Sequence, residues 1–279
     1  MIDLTQLTHT QWLVLAGLLG LCTGSFLNVV AHRLPIMMQR AWDQEMAEIQ
    51  GRELEPAPRL NLLLPASHCP ACKSPLRWWQ NIPLLSFLVL KGRCGHCHAS
   101  ISWRYPIVEL CTALAFAGIA WIHAPGWAPL LLMVFVAALI VLAVIDLDTY
   151  LLPDDITLPL LWLGLIFNLG TGHVSLESAV IGAIAGYMLL WLIYQGFKLA
   201  TGKEGMGYGD FKLLAAIGAW LGAYSLFTVI LFASVFGVFF GLLVQRLRGK
   251  SRSEPFPFGP CLVLGALAWI AGLNLAQWI

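Results

Sequence analysis

Apolar runs long enough to cross a lipid bilayer recur along the whole chain. A spanning helix needs about 20 predominantly apolar residues. The candidate runs lie at residues 11–31, 106–122, 128–145, 156–170, 177–197, 211–245 and 258–278. Only 11% of the 279 residues are charged, whereas a soluble domain has about 25%. The sequence therefore predicts an all-α polytopic membrane protein.

The run at 211–245 is too long for a single crossing. As one helix it would measure about 50 Å, far more than the hydrocarbon core of about 30 Å. The tetrapeptide Gly222-Ala223-Tyr224-Ser225 is suited to a turn that would divide this run into two helices. With that turn, the chain has about eight transmembrane helices.

The basic residues indicate which loops share a side of the membrane. With eight spans and the N-terminus outside, one side holds segments 32–105, 146–155, 198–210 and 246–257. These segments contain 15 of the 16 Lys and Arg residues, and Lys212 lies at the membrane edge of the same side. Seven spans would scatter the basic residues over both faces. Because basic loops stay in the cytoplasm, we expect this side to be cytoplasmic in a bacterial inner membrane.

This orientation divides the chain into three parts. We expect a first transmembrane helix at 1–31, a cytoplasmic domain at 32–105 and a membrane-embedded domain at 106–279. Residues 1–11 contain no Lys or Arg, so the first helix should be retained and not cleaved as a signal peptide. The charged stretch 40–58 is either a solvated connector or a short amphipathic helix. The orientation also places Asp3, His123 and His173 in the periplasm, and Lys73, Glu204 and Lys250 in the cytoplasm.

Four of the seven cysteines form two CxxC pairs within segment 32–105. They are Cys69, Cys72, Cys94 and Cys97. Two such pairs match a tetrahedral zinc site of the ribbon type, in which the metal has a structural role. Nearby histidines could compete as ligands, namely His68, His96 and His98. Redox-active pairs are the alternative, although no βαβ pattern of the thioredoxin type surrounds them.

Acidic residues near the membrane segments cluster at one edge of the predicted bilayer. Asp146 and Asp148 end the third span, Asp154 and Asp155 precede the fourth, and Asp210 opens the sixth. Two carboxylates held close together can share one proton, so that one acts as a base toward water and the other as an acid. The alternatives are helix capping and a transporter that uses the carboxylates to carry protons or cations.

At these residues the sequence closely resembles the prepilin peptidases, also called type IV leader peptidases, over nearly its whole length. The matching pieces, in order, are Gly24-Ser25-Phe26-Leu27-Asn28-Val29-Val30 with His32-Arg33-Leu34-Pro35, the two CxxC pairs, Asn81-Ile82-Pro83 through Gly92-Arg93-Cys94, Ile101-Ser102-Trp103-Arg104-Tyr105-Pro106 with Glu109, Ile145-Asp146-Leu147-Asp148 with Leu151-Leu152-Pro153-Asp154, and Gly207-Tyr208-Gly209-Asp210. Each piece alone is weak evidence for the resemblance, but together, in matching order and spacing, they are specific to this family.

The resemblance implies a membrane-embedded aspartic peptidase at 106–279 whose catalytic pair is Asp146 and Asp210. Spacing alone does not choose Asp146 over Asp148. Members of this family cleave the basic leader of prepilins and pseudopilins after a Gly at the cytoplasmic face. Many then methylate the new N-terminal residue with S-adenosyl-L-methionine. The expected partners are therefore these substrates and the lipid bilayer, with no nucleic acid.

The residues of methyl transfer are less well defined, because no glycine-rich cofactor fingerprint is present. Our candidates are Arg33, Arg104 and Glu109, which join the cysteine-bearing domain to the membrane. Glu109 is the sharpest of them, since an acid just inside an apolar span is costly without a role or a partner. The alternative is that Glu109 pairs with one of the two arginines. A zinc-stabilised assembly factor, which would need neither Asp, is a further alternative to the peptidase.

Overall fold

Helices form nearly all the regular structure of the chain. The computed structural model describes residues 6–53, 58–203, 205–248 and 256–273, and these residues include no β-strand. The helices are α1 (His9–Ile49), α2 (Leu85–Val89), α3 (Arg104–Ile122), α4 (Trp127–Thr149), α5 (Asp154–Thr171), α6 (Leu176–Thr201), α7 (Tyr208–Leu221), α8 (Ser225–Arg248) and α9 (Gly259–Ile270), with a 3-10 turn at Trp78–Asn81. The chain divides into two compact units, Met1–Val141 and Leu142–Ile279.

The predicted all-α polytopic fold is confirmed. Helices α1, α3, α4, α6 and α8 are long and apolar enough to cross a membrane. Helices α5, α7 and α9 occupy the remaining predicted runs. The turn at Gly222 is also present, because α7 ends at Leu221 and α8 begins at Ser225. Asp3, Glu204, Lys250 and the end of the run at 258–278 lie outside the described residues.

Helix α1 is longer than the first predicted span. It continues from the apolar run through Pro35 and takes in residues 40–49 of the charged stretch. Residues 37–49 contain neither Gly nor Pro and are rich in good helix formers. The helix ends at Ile49, just before Gly51, which adopts a positive φ of 63°. Residues 40–49 of the charged stretch therefore extend the membrane helix and do not form a separate one.

In the first unit, α1 and α3 pack closely because α1 presents glycines to its partner. A Cβ at Gly20 would lie 2.6 Å from Ala113 Cα, and one at Gly24 would lie 2.7 Å from Glu109 Cα. Small residues at four-residue spacing allow such backbone approach in membrane helices. The pairing places Glu109 against α1 at the level of Gly24.

The ends of the α1–α3 contact are marked by hydrogen bonds. Trp12 Nε1 donates to the His123 carbonyl at 3.1 Å, and Asn28 Nδ2 donates to the Tyr105 carbonyl at 3.3 Å. The helices are therefore antiparallel, and α3 rises about 28 Å, close to the hydrocarbon thickness. Beyond Asn28, α1 continues for about 30 Å past the beginning of α3.

In the second unit, α7 is the central helix. It contacts α5, α6, α8 and α9, and 11 of its 14 residues are buried. A helix that is apolar all round belongs in such an interior position. The backbones of α6 and α7 touch where a Cβ at Gly182 would lie 2.5 Å from the Gly218 carbonyl oxygen.

The end of α7 that lies farther from Asp210 is held by α5. Asn168 Nδ2 donates to the carbonyls of Ala219 and Trp220, at 2.8 and 3.0 Å. The Trp220 indole donates to the Leu160 carbonyl at 2.8 Å and stacks on Phe167. This end of α7 is thereby bonded to its neighbour through both its backbone and a side chain.

Candidate functional site

Asp146 lies in the last turn of α4, inside the second unit. It is only 5% exposed, whereas Asp148 is exposed. Two residues apart on a helix means about 200° of rotation, so the two carboxylates point to opposite faces. The structure therefore distinguishes these two acids, which spacing in the sequence could not, and turns Asp146 inward.

Asp210 lies in the first turn of α7 and is 7% exposed. It is close enough to Asp146 for the two carboxylates to interact electrostatically. Its Oδ1 atom is buried and accepts no hydrogen bond from any residue that the structure describes. Two carboxylates distant in the sequence are thus brought together at neighbouring helix ends, with one oxygen left without a partner among the described residues.

Glycines allow the backbone to approach this carboxylate pair. A Cβ at Gly209 would lie 2.7 Å from Leu152 Cβ, so the loop before α5 packs directly on the beginning of α7. A Cβ at Gly259 would lie 2.7 Å from Asp146 Oδ2. Instead, the Gly259 N–H donates to that oxygen at 2.9 Å. A side chain at either position would push the backbone away from the acids.

Gly259 is a site residue that the sequence reasoning missed. It is the first residue of α9, and Pro260 follows it. Gly-Pro before an apolar run is a signal for the beginning of a helix. The first N–H groups of a helix have no partner within the helix and are available to an acid. That signal could have suggested a donor, although not which acid receives it.

The other acids at this edge do not join the pair. Asp154 and Asp155 are exposed in the first turn of α5, and the N-cap position itself is occupied by Pro153. Acids in a first turn are still stabilised by the helix dipole. Asp154 forms an ion pair with Lys212 at 2.7 Å, which links α5 to α7 at the exposed edge. Asp210 is likewise not an N-cap, because Gly207 has that position.

The structure brings the four predicted cysteines together. Their Sγ atoms all lie within 4.8 Å of one another. The Cys69 and Cys97 sulfurs are 3.8 Å apart, which is about the separation of two thiolates on a tetrahedral zinc with Zn–S bonds of about 2.3 Å. Within the described residues no histidine belongs to this group. The cluster therefore has the size and the donor set of a metal centre with four cysteine ligands.

The two CxxC turns have the same backbone. In the first, the Cys69 N–H donates to the Ser74 carbonyl and the Lys73 N–H donates to the Cys69 carbonyl. In the second, Cys94 and His98 donate in the corresponding way to Ala99 and Cys94. The residue after each second cysteine has a positive φ, 58° at Lys73 and 57° at His98. Two equivalent turns thus face each other across the cluster.

Local hydrogen bonds favour the thiolate at two of the four cysteines, Cys72 and Cys94. At Cys97, a backbone hydrogen bond is outweighed by burial and by hydrogen bonds with the other three sulfurs, which raise the pKa to about 11. Hydrogen bonds from Ser74 lower the pKa of the Cys72 thiol to about 6. Backbone N–H groups of Cys97 and His96 lower the pKa of Cys94. A thiolate is the form that binds a metal, so the backbone of each turn prepares a ligand.

The three residues considered for methyl transfer lie in different local surroundings. Arg33 is buried and donates to the carbonyls of three loop residues, Asn61, Leu62 and Pro65. Glu109 is buried, accepts a hydrogen bond of 2.8 Å from the Leu84 N–H, and is within reach of the Ser25 hydroxyl. Its described partners are thus a backbone group and a hydroxyl. Arg104 begins α3 and is half-buried.

Comparisons with known proteins cover most of the chain. Residues 18–123 match the bacterial peptidase A24 N-terminal domain, and residues 133–242 match the type IV leader peptidase family. A prepilin leader peptidase/N-methyltransferase of Aeromonas hydrophila is 51% identical, over 99% of this chain and 97% of the relative. Relatives with the same name in Pectobacterium carotovorum subsp. carotovorum (95% of each chain) and Pseudomonas aeruginosa (91% of this chain and 87% of the relative) are 49% identical. No solved structure matches the chain.

Proposed function

Because this chain belongs to the type IV leader peptidase family, we propose that it cleaves the basic leader of prepilins and pseudopilins after a Gly, with Asp146 and Asp210 as the catalytic pair. The observation that carries this proposal is the buried pair of carboxylates at the end of α4 and the beginning of α7. Carboxylates at helix ends suit an interfacial peptidase better than a transporter, whose sites lie near the membrane midplane.

The chemistry follows from a pair of carboxylates that share one proton. The ionised carboxylate takes a proton from a water molecule, whose oxygen attacks the carbonyl carbon of the Gly. The protonated carboxyl donates its proton to the carbonyl oxygen, which gives a tetrahedral intermediate. When this intermediate collapses, the C–N bond breaks and the departing nitrogen takes up a proton. The products are a leader with a C-terminal carboxyl group and a pilin with a free N-terminal amine.

The position of the pair suits a substrate that is half in water and half in lipid. A prepilin has a basic leader followed by an apolar helix, so its scissile bond lies at the cytoplasmic surface of the membrane. We place the Asp146 and Asp210 end of the second unit at that surface. Lys212 and the basic loops that accompany this end support the orientation, because basic segments stay in the cytoplasm.

The proposal is tested by incubating purified protein in lipid vesicles with a prepilin and measuring the product mass. Asp146→Asn and Asp210→Asn should each lower the cleavage rate by about 100- to 10,000-fold, because each removes one proton-transfer group. Asp148→Asn is the matched control on the same helix, and Asp155→Asn is a second control. Both should retain activity. Full cleavage by Asp210→Asn would overturn the mechanism. An equal loss of activity in Asp148→Asn would show that the choice of Asp146 as the catalytic acid of α4 is wrong.

We also propose that Cys69, Cys72, Cys94 and Cys97 hold one zinc ion per chain. A site closed by four protein ligands has no open position for a substrate. The metal therefore stabilises the segment and takes no part in cleavage. Metal analysis should give about one zinc per chain. Unchanged zinc content in a Cys72→Ser, Cys97→Ser double variant would refute the assignment.

Methyl transfer from S-adenosyl-L-methionine is the second activity that we propose, because the curated relatives carry it in their names. The donors of Arg33 and one oxygen of Glu109 are already engaged with backbone groups. This favours a supporting role for both side chains over direct contact with the cofactor. A pilin already cleaved to its N-terminal Phe separates the two activities. Asp210→Asn should still methylate it, and failure in a folded variant would show that both activities share one site.

A further inference from the structure

The segment 82–89 is joined by a hydrogen bond to the membrane helix α3. Glu109 is the sixth residue of α3 and lies about 8 Å inside the beginning of that helix. Its Oε2 accepts the Leu84 N–H at 2.8 Å. Since α3 is an apolar membrane helix, this bond fixes the backbone of Leu84 at a depth where the lipid acyl chains begin.

A tight turn presents that N–H to Glu109. Leu84 has a positive φ of 56°, and the Leu85 N–H donates to the Pro83 carbonyl, which closes a three-residue turn. A bulky residue with positive φ is uncommon. Such strained backbone persists only where its surroundings hold it in place. The bond to Glu109, a buried acid in an apolar helix, is the contact that does so here.

Helix α2 follows this turn and presents an apolar face to the outside. Leu85, Leu88 and Val89 lie at i, i+3 and i+4, and they are 59%, 69% and 69% exposed. At about the same level, Ile107 and Leu110 of α3 are also exposed. Because α3 crosses the membrane, its exposed side chains face lipid. The exposed apolar side chains of α2 therefore lie near the level at which α3 meets lipid.

The residues after α2 suit the polar surface of a membrane. Lys91 and Arg93 are exposed cations. Trp103, just before α3, is 69% exposed and packs on Phe87 of α2. Between them is a groove of about 650 Å³ that is lined in part by Lys91, Ser100 and Ser102. Trp at the interface and cations near anionic headgroups are typical of membrane-bound elements.

We propose that segment 82–89 inserts into the leaflet in which α3 begins, with Leu85, Leu88 and Val89 among the acyl chains. Glu109 is the positioning residue that holds it there. The occupant of this face is the bilayer itself, because Glu109 holds the segment at the level where α3 meets lipid and exposed cations follow the face in the chain. This proposal needs only a membrane protein and does not rest on the proposed peptidase activity.

The test uses the full chain in vesicles of phosphatidylethanolamine and phosphatidylglycerol. A photoreactive benzoylphenylalanine replaces Leu88, and lipid adducts are measured by mass spectrometry. The same residue at Leu110 is the positive control. The matched negative control replaces Met46, which is also exposed and apolar but lies about 27 Å past the beginning of α3. A second version replaces Val89, in case position 88 does not tolerate the probe.

We expect lipid adducts at position 88 or 89 in amounts similar to those at 110, and at least about tenfold fewer at 46. Glu109→Gln keeps an oxygen acceptor and should retain the adducts at 88, whereas Glu109→Leu should lower them by about tenfold without changing those at 110. Labelling at 88 and 89 as weak as at 46 would overturn the proposal. The proposal would also be overturned if, with a prepilin added to the vesicles, the probe at position 88 formed adducts with the prepilin and none with lipid. Unchanged labelling in Glu109→Leu would overturn the role of Glu109.

Discussion

Helix α7 and the segment 58–103 hold their key side chains by opposite means. In α7, 11 of 14 residues are buried. Asp210 is positioned because α7 packs against four other helices, α5, α6, α8 and α9. In segment 58–103, Cys69 and Cys94 are the only buried residues. One region has a core of apolar side chains, and the other has a core of sulfur atoms.

This difference indicates what each region needs in order to fold. Close packing of side chains stabilises α7 without any ligand. Segment 58–103 buries too little apolar surface to offset the entropy of ordering its backbone. The metal that we propose for the four cysteines would supply that free energy instead. The two regions should therefore respond differently to loss of metal and to changes in packing.

Removal of the metal should have the largest effect, and only on segment 58–103. Structural zinc contributes about 10–16 kcal/mol in small domains, so Cys69→Ser or a chelator should leave this segment largely unfolded. Hydrogen exchange in the full chain measures both regions at once. Amides of 58–103 should lose protection and those of α7 should keep it. An equal loss in α7 would show that the regions are not independent.

Crowding the contact between α6 and α7 should have the next largest effect on stability, and it should leave segment 58–103 unchanged. The Cβ introduced by Gly182→Ala would lie 2.5 Å from the Gly218 carbonyl oxygen. We expect a loss of about 3 kcal/mol in the free energy of unfolding. Gly196→Ala is the matched control on α6, because nothing lies within 4 Å of its Cβ. It should be neutral or stabilise by up to about 1 kcal/mol. Similar results for the two variants would contradict the packing argument.

Loss of the Asn168 bridge should be smaller and again confined to the helical region. Asn168→Leu removes the donor to the Ala219 and Trp220 carbonyls. Leaving buried carbonyls unpaired costs about 1–3 kcal/mol. Thr171→Val removes a bond to the Phe167 carbonyl of its own helix and one from the His173 N–H just after the helix, but none to α7, and should cost less. Thermal unfolding in detergent measures both, and metal content should not change in either.

The smallest effect that we predict is an increase in the stability of segment 58–103. Lys73→Gly and His98→Gly relieve residues with positive φ, which should stabilise the metal-bound segment by about 1 kcal/mol each. Arg77→Gly is the control, because its φ of −72° suits any residue. That change should destabilise the segment slightly. Resistance to chelator is the measurement, and a loss of resistance in both Lys73→Gly and His98→Gly would contradict the prediction.

The features that the sequence predicted well depend on local pattern. Each apolar run formed a helix, the glycine at 222 ended α7, and two CxxC pairs met in one cluster. Run length, turn residues and ligand spacing are properties of neighbours in the sequence. They can be read without knowing how distant segments pack.

The features that local pattern alone could not predict depend on how elements are oriented in space. The choice of Asp146 over Asp148 required knowing which face of α4 turns inward. The donor at Gly259 comes from a helix far along the chain. The partner of Glu109 is a backbone N–H at Leu84, and every residue except proline has such a group. The sequence therefore does not indicate which backbone N–H donates to Glu109.

Helix α7 is a rigid element that connects its bonded end at Trp220 to the carboxylate at Asp210. Its Trp220 end is fixed to α5, and its Asp210 end carries the carboxylate about 15 Å away. A tilt of about 2° at the fixed end would move Asp210 by about 0.5 Å, which is the tolerance of a working catalytic geometry. Substitutions at Trp220 or Asn168, at the end of α7 farther from Asp210, should therefore change the cleavage rate by tilting the helix.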